Sequence, residues 1–179
     1  MGTKALIAGR VGAGALAIAC AQVAAPAALT QAIGPDAAAC AGGGPAIQAT
    51  IVGLKDRRGT LKLELYPAND QDFLADDTVL TAAGKTFRRV SVATPASGNP
   101  VICIRVPRAG RYALFFGHDR DGKPKFNFWS DGAGFPSNRR LGRSRPNLNE
   151  ALIDAGPGVT NTVIRAQYLR GLGGFGPLD

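Results

Sequence analysis

Thr60–Tyr66 reads TLKLELY. Leu61, Leu63 and Leu65 fall on one side of an extended chain, Lys62 and Glu64 on the other. A period of two is the mark of a strand with one face in a core and the other toward water. DRRG, Asp56–Gly59, is a polar turn just before it, and AIQATIVGL, Ala46–Leu54, is a strand before the turn. Together they spell a hairpin.

Working outward, similar signals recur. KTFRRVSVA, Lys85–Ala93, places Phe87, Val90 and Val92 in a less regular strand. VICIRV, Val101–Val106, is a nearly continuous apolar run suited to a central strand. PRAG turns the chain, and RYALFFGHD, Arg111–Asp119, sets Tyr112, Leu114 and Phe116 on one face with His118 next in phase. NEALIDA, Asn149–Ala155, and TNTVIRAQYL, Thr160–Leu169, bring the total to about seven strands. The 24 Gly and 12 Pro punctuate short strands rather than long helices, and one helical turn fits around Asp72–Asp77. The pattern predicts an all-β fold, an antiparallel seven-stranded β-sandwich over residues 40–170.

Residues 1–39 read as a signal segment to be removed. Lys4 and Arg10 are its only positive charges, Val11–Leu29 carries none, and Ala37-Ala38-Ala39 offers an A-x-A cleavage step. Leu16–Cys20, LAIAC, is also a loose lipobox, and lipidation at Cys20 would tether the domain to a membrane. Cleavage near Ala39 and lipidation at Cys20 stand as alternatives, and both imply an exported protein, periplasmic or secreted. Once Cys20 is set aside, Cys40 and Cys103 remain, and an oxidising compartment would pair them in a disulfide. The tail, residues 171–179, GLGGFGPLD, is expected to be flexible. Its Gly171-x-Gly173-x-x-Gly176 has no helix to follow it and so no phosphate-binding meaning.

The chain carries a formal charge of +8. That sign favours an anionic partner, such as a component of the cell envelope, and does not by itself point to nucleic acid. No cofactor is expected.

The chemistry-bearing residues gather in Gly117–Asn138, GHDRDGKPKFNFWSDGAGFPSN. Asp119-x-Asp121-Gly122 opens like a calcium loop, with Asn127 and Asp131 as further oxygens, but Lys123 and Lys125 oppose a cation and no glutamate closes the loop. An Asp-Gly turn explains the same residues. His118 is the only histidine, and it lacks a second histidine or a nucleophile elbow. With Asp119 or Asp121, and Ser130 or Ser137 as nucleophile, it would make a hydrolase site. Phe126, Phe128, Trp129 and Phe135 are expected to fold largely over the open end of the sandwich, their rim forming an aromatic binding surface. Arg139, Arg140, Arg143 and Arg145 present guanidinium forks suited to phosphate or carboxylate.

GTLKLELY, then GRYALFFGHDRDGKPKFN, then GAGFPSNRR, together resemble the bacterial family of domain of unknown function 2141. The resemblance covers about Ile47 to Leu169 and is most specific from Gly110 to Asn138. It implies an exported sandwich of transthyretin-like or immunoglobulin-like type. It matches His118, Asp119 and Asp121 to the family's His-Asp turn, and Gly134, Phe135 and Asn138 to its later segment. Lys123, Pro124 and Lys125 depart from the family's Asn- and Gly-rich turn. The leading expectation is a non-enzymatic binding or structural module that binds through His118, Asp119, Asp121, Trp129, Phe135, Asn138, Arg139 and Arg140. The alternatives are the hydrolase and a calcium-stiffened module.

Overall fold

The computed structural model describes residues 1–2, 31–123 and 125–178. Most of the expected signal segment, with Cys20 and its lipobox, lies outside the described residues. Along the chain run α1 (Ala37–Ala41), β1 (Ala46–Val52), β2 (Thr60–Pro67), α2 (Asp77–Ala82), β3 (Arg88–Ala93), β4 (Val101–Arg105), β5 (Gly110–Asp119), β6 (Gly132–Gly134), α3 (Leu148–Ala151), β7 (Leu152–Ala155), β8 (Val159–Arg165), β9 (Gln167–Leu169), a 3-10 turn at Gly171–Gly173 and β10 (Phe175–Pro177).

The strands form an all-β sandwich of two sheets. The smaller has the order β4-β1-β8; the larger runs β10-β9-β6-β5-β2-β3, with β7 beside the start of β5. Strand pairing is antiparallel except between β1 and β8, which run parallel from Ala46↔Val159 to Val52↔Arg165. The alternation in TLKLELY does what its period dictates. Leu61, Leu63 and Leu65 are fully buried and share one core cluster with Ile47, Ile51, Ile102, Ile104 and Ile164 of the opposite sheet. From β5, Leu114 and Phe116 join the same cluster. Each such side chain contributes roughly 1.5–3 kcal/mol through burial.

The outer face of the larger sheet is not left to water. Tyr66, Ala113 and Phe135 there pack with Phe73, Leu80 and Ala151 into a second, smaller core. Asp76 caps α2 by accepting the Thr78 N–H, so the helix begins at Asp77, the last residue of the Asp72–Asp77 turn read from sequence. α3 takes the start of NEALIDA because Asn147 and Glu150 form a capping box.

Four further differences have physical causes. The hairpin expected from AIQATIVGL, DRRG and TLKLELY does not form: β1 pairs with β4 and β8 in the smaller sheet and β2 with β3 and β5 in the larger, so the two strands bury their apolar faces against each other across the sandwich and Asp56–Gly59 carries the chain from one sheet to the other. Thr160–Leu169 is not one strand: Ala166 donates to Val52 O, and the chain passes there from the smaller sheet, as β8, to the larger, as β9. β6 consists of Gly-Ala-Gly, which has no alternating pattern to read. The tail expected to be flexible is paired through Pro177, with Phe175 opposite Leu169 and its N–H donating to Gly142 O at 2.6 Å.

Residues 33–41 are built into the fold. Ile33 bridges to Ile102 in parallel, and Cys40 is disulfide-bonded to Cys103. The Asp36 carboxylate is 2% exposed, grips the Arg88 guanidinium and accepts the Arg105 N–H at 2.9 Å. The hydrogen bonds from Arg88 hold its carboxyl below the usual aspartate range. The expected cleavage step at Ala39 thus falls inside a packed segment. Replacing Asp36 by Ala strands a backbone N–H and an arginine together. Urea unfolding should show Asp36→Ala less stable by about 2–4 kcal/mol.

Candidate functional site

His118 continues the inward phase of β5. It is 0% exposed. Nε2 lies 2.7 Å from Arg58 O, and a carbonyl only accepts, so Nε2 carries the proton. Nδ1 then accepts from the Tyr168 hydroxyl at 2.7 Å, and that oxygen in turn accepts the Lys55 N–H at 3.0 Å. Burial pushes the imidazole below its ordinary pKa and the Tyr168 phenol up to about 12. The ring is thus a neutral cross-link between the β1–β2 loop, β5 and β9.

Two glycines make this cross-link possible. Gly59 has φ +72°, and a Cβ there would sit 2.0 Å from Asp119 O. Its bareness lets the β1–β2 loop lie down on the end of β5. A Cβ on Gly132 would meet the Tyr168 ring at 2.4 Å.

A second layer of contacts closes the same end. The Arg120 guanidinium grips Asp56 and donates to Ser130 O at 2.6 Å, joining the β1–β2 loop to the β5–β6 loop. Hydrogen bonding from Arg120 holds the Asp56 carboxyl far below the ordinary aspartate value.

Asp119, Asp121 and Asp131 bring carboxylate oxygens within 4.8 Å of one another. Their lone pairs are already engaged. Asp119 accepts from Lys62 Nζ and the Gly122 N–H, each at 2.8 Å. Asp121 accepts from Asn127 Nδ2 at 2.6 Å and from Ser130 Oγ at 3.1 Å, and pairs with Lys123. The Asn127 hydrogen bond, with those from Lys123 and Ser130, holds the Asp121 carboxyl at about 2. Asp131 accepts the N–H groups of Arg120 and Asn127. Asn127 turns its amide nitrogen to the cluster and gives its oxygen to the Trp129 N–H. It acts here as a donor, not as the ligand oxygen expected. The cluster is wired as an Asp-rich turn, with donors where a cation would need open oxygens.

The remaining sequence candidates divide between framework and surface. Asn138, at φ +54°, donates to Val163 O at 2.7 Å and accepts the Arg165 N–H at 2.6 Å, so its amide imitates a strand partner for β8. Phe135 is 1% exposed in the outer-face core. The other aromatics do not fold down: Phe126 is 48% exposed, Phe128 41% and Trp129 80%. Arg139 gives its carbonyl to Gln167 Nε2, and the Arg140 side chain runs beside Gly173 and Gly176. Among the described residues, the hydrogen-bond partners of His118 are Arg58 and Tyr168; neither Ser130 nor Ser137 is one of them. The hydrolase geometry is therefore not assembled.

Sequence reasoning missed the roles of Lys62, Arg120 and Tyr168. Tyr168 faces the core from a short strand, in phase with Ala166, and Arg120 lies between two aspartates. Those were the signals that pointed to them.

An open groove of about 350 Å³ lies on the outer face of the larger sheet. Its floor is Gly117, Phe115 and Phe135, and Lys62, Lys125 and Phe126 stand among its walls. A larger hollow of about 980 Å³ lies beside residues 31–41; among the described residues its lining is uncharged. The smaller groove combines an apolar floor with charged walls.

The family model described as an uncharacterized protein conserved in bacteria (DUF2141) matches residues 49–163. No curated protein and no solved structure matches the chain.

His118→Ala should lose about 1–3 kcal/mol, because it orphans the buried Arg58 carbonyl and the Tyr168 hydroxyl. Trp129→Ala should change stability by less than about 0.5 kcal/mol, as exposed positions do. The depressed histidine pKa means the unfolded chain binds the extra proton first. Its contribution is thus complete above the ordinary value of 6.5 and is lost as pH falls toward the lower folded value. Denaturant unfolding of the wild type should weaken below that pH, ahead of the carboxylates, and His118→Gln should lack that slope. Millimolar calcium should leave the melting temperature of the wild type unchanged by differential scanning fluorimetry; a bound ion in large excess would add about 2.7 kcal/mol.

Proposed function

The chain belongs to the bacterial DUF2141 family, and on that footing we propose that it is an exported, non-enzymatic binding module of the cell envelope. The observation that carries this reading is the division of labour across the larger sheet. The histidine that would serve catalysis is locked inside as a cross-link, while the outer face keeps a groove with a Phe115, Phe135 and Gly117 floor and charged walls. Such a groove suits a small molecule with an apolar body and an anionic end, the apolar part over the aromatic floor and the charge toward Lys125; Lys62 is paired with Asp119, and Glu64 and Asp131 also line the groove.

Export is supported by the uncharged run Val11–Leu29 and by the Cys40–Cys103 disulfide. Among the described residues no helix is long and apolar enough to cross a membrane. The packing of Ile33 and Asp36 favours processing upstream of Ile33, at Ala19-Cys20-Ala21 or before Cys20 itself, since cleavage at Ala39 would remove the carboxylate that holds Arg88. The intact mass of the exported protein reads the cleavage point directly.

The groove is tested by thermal shift against a panel of aromatic and short-chain carboxylates and sugar phosphates. At least one class should raise the melting temperature of the wild type, and the gain should vanish in Gly117→Val. A Cβ at position 117 already meets the Phe115 ring at 3.3 Å, so valine fills the floor. A panel that stabilises both proteins equally, or neither, would falsify the groove as the binding site.

A further inference from the structure

Apart from the groove, the molecule carries a surface that its own packing does not explain. At one edge of the larger sheet Phe175 of β10 stacks against Phe126 and Phe128, with ring centroids at 6.0 and 4.9 Å, and Phe128 meets Trp129 edge-on at 5.9 Å. Phe126, Phe128 and Trp129 nonetheless remain among the most exposed large apolar residues of the chain, together with Leu172 at the tip of the β9–β10 turn, 89% exposed. Leaving four such residues in water has a cost that folding alone does not require.

The charges beside them are one-sided. Arg143 and Arg145 line a hollow with Phe126, Phe128 and Phe175. Arg140 lies along Gly173 and Gly176 of the same turn and strand, and Lys125 adjoins Phe126. All four cations are exposed, and none makes an ion pair with a described residue, though Arg145 donates to Phe73 O at 3.0 Å. The nearby carboxylates Asp121 and Asp131 are engaged within their own turn.

We propose that this edge, with Phe128, Trp129 and Leu172 as wedges and Lys125, Arg140, Arg143 and Arg145 around them, docks the domain on an anionic phospholipid surface. Tryptophan and phenylalanine favour the headgroup boundary, leucine the start of the acyl region, and each cation near a negative leaflet adds attraction. The shape favours lipid over an acidic glycan. Phe128 and Trp129 meet edge-on rather than forming one flat platform, and an aliphatic tip such as Leu172 matches an acyl chain better than a sugar ring.

Trp129 is the only tryptophan, so its emission reports on this surface alone. Full-length exported protein is titrated with phosphatidylcholine vesicles, with vesicles that also contain phosphatidylglycerol, and with dextran sulfate. A blue shift with the phosphatidylglycerol vesicles, quenched by brominated acyl chains and reversed by molar salt, is the expected result. Arg140→Glu/Arg143→Glu, with an unchanged melting temperature, should lower vesicle affinity by at least roughly tenfold. Leu172→Ser should weaken the bromolipid quenching. No shift with either vesicle, an equal shift with both, or a shift with dextran sulfate alone would overturn the proposal. Gly117→Val should bind vesicles as the wild type does. Loss of docking with an intact groove response, or the reverse, therefore tells this inference apart from the small-ligand reading.

Discussion

The enclosed imidazole of His118 is the constraint on which this end of the sandwich depends. Three segments distant in sequence meet at its two nitrogens: the β1–β2 loop through Arg58 O, β5 through the residue itself, and β9 through the Tyr168 hydroxyl. Each nitrogen has one chemically compatible partner, so the tautomer and the placement of both neighbours are fixed together. Without the contact from the β1–β2 loop, Asp56 would not be held against Arg120, and the β5–β6 loop would lose its tie to the β1–β2 loop. The outer surface of that loop, where the exposed aromatics stand, is therefore set by a bond made inside the core.

Polar groups at this end are organised by the same logic of full satisfaction. Among the described residues no buried side-chain nitrogen or oxygen lacks a partner. The three aspartates that look like the beginning of a metal site instead collect backbone N–H groups, an amide and two lysines. A carboxylate that holds a turn together and one that holds a cation share composition and spacing, and differ only in whether the donors arrive from the chain itself. Here they do, and each of the three carboxylates ties the turn to its own chain.

Much of the architecture was legible because it rests on period-two burial. TLKLELY and RYALFFGHD state which side faces in, and His118 follows from the phase of Tyr112, Leu114 and Phe116. The disulfide was legible from the expected export and from the number of cysteines. What stayed hidden has no alternation to read. β6 is Gly-Ala-Gly, β10 is Phe-Gly-Pro, and the passage from β8 to β9 turns on a single alanine. Trp129 illustrates a deeper limit. A large aromatic in a loop predicts burial on average, yet here Phe175, from a tail that looked loose, fills the space beside Phe128 and leaves the indole outside. The parallel pairing of β1 with β8 depends on a connection more than a hundred residues long, far beyond the reach of local pattern.

The attachment of residues 33–41 has a mechanical meaning. Ile33 bridges to β4, and Cys40 is covalently joined to Cys103 in the middle of β4. A pull applied at the N-terminal end of the described body therefore reaches β4 before it reaches β1, and passes through a covalent bond that bypasses a sequence separation of 63. β1 lies next to β4 and is pinned on its other side by the parallel ladder to β8, whose bonds would be loaded in shear along their length rather than peeled one at a time. For a domain held at its N-terminal side and engaged at its far edge, tension between the two ends runs along the stiffest line in the fold.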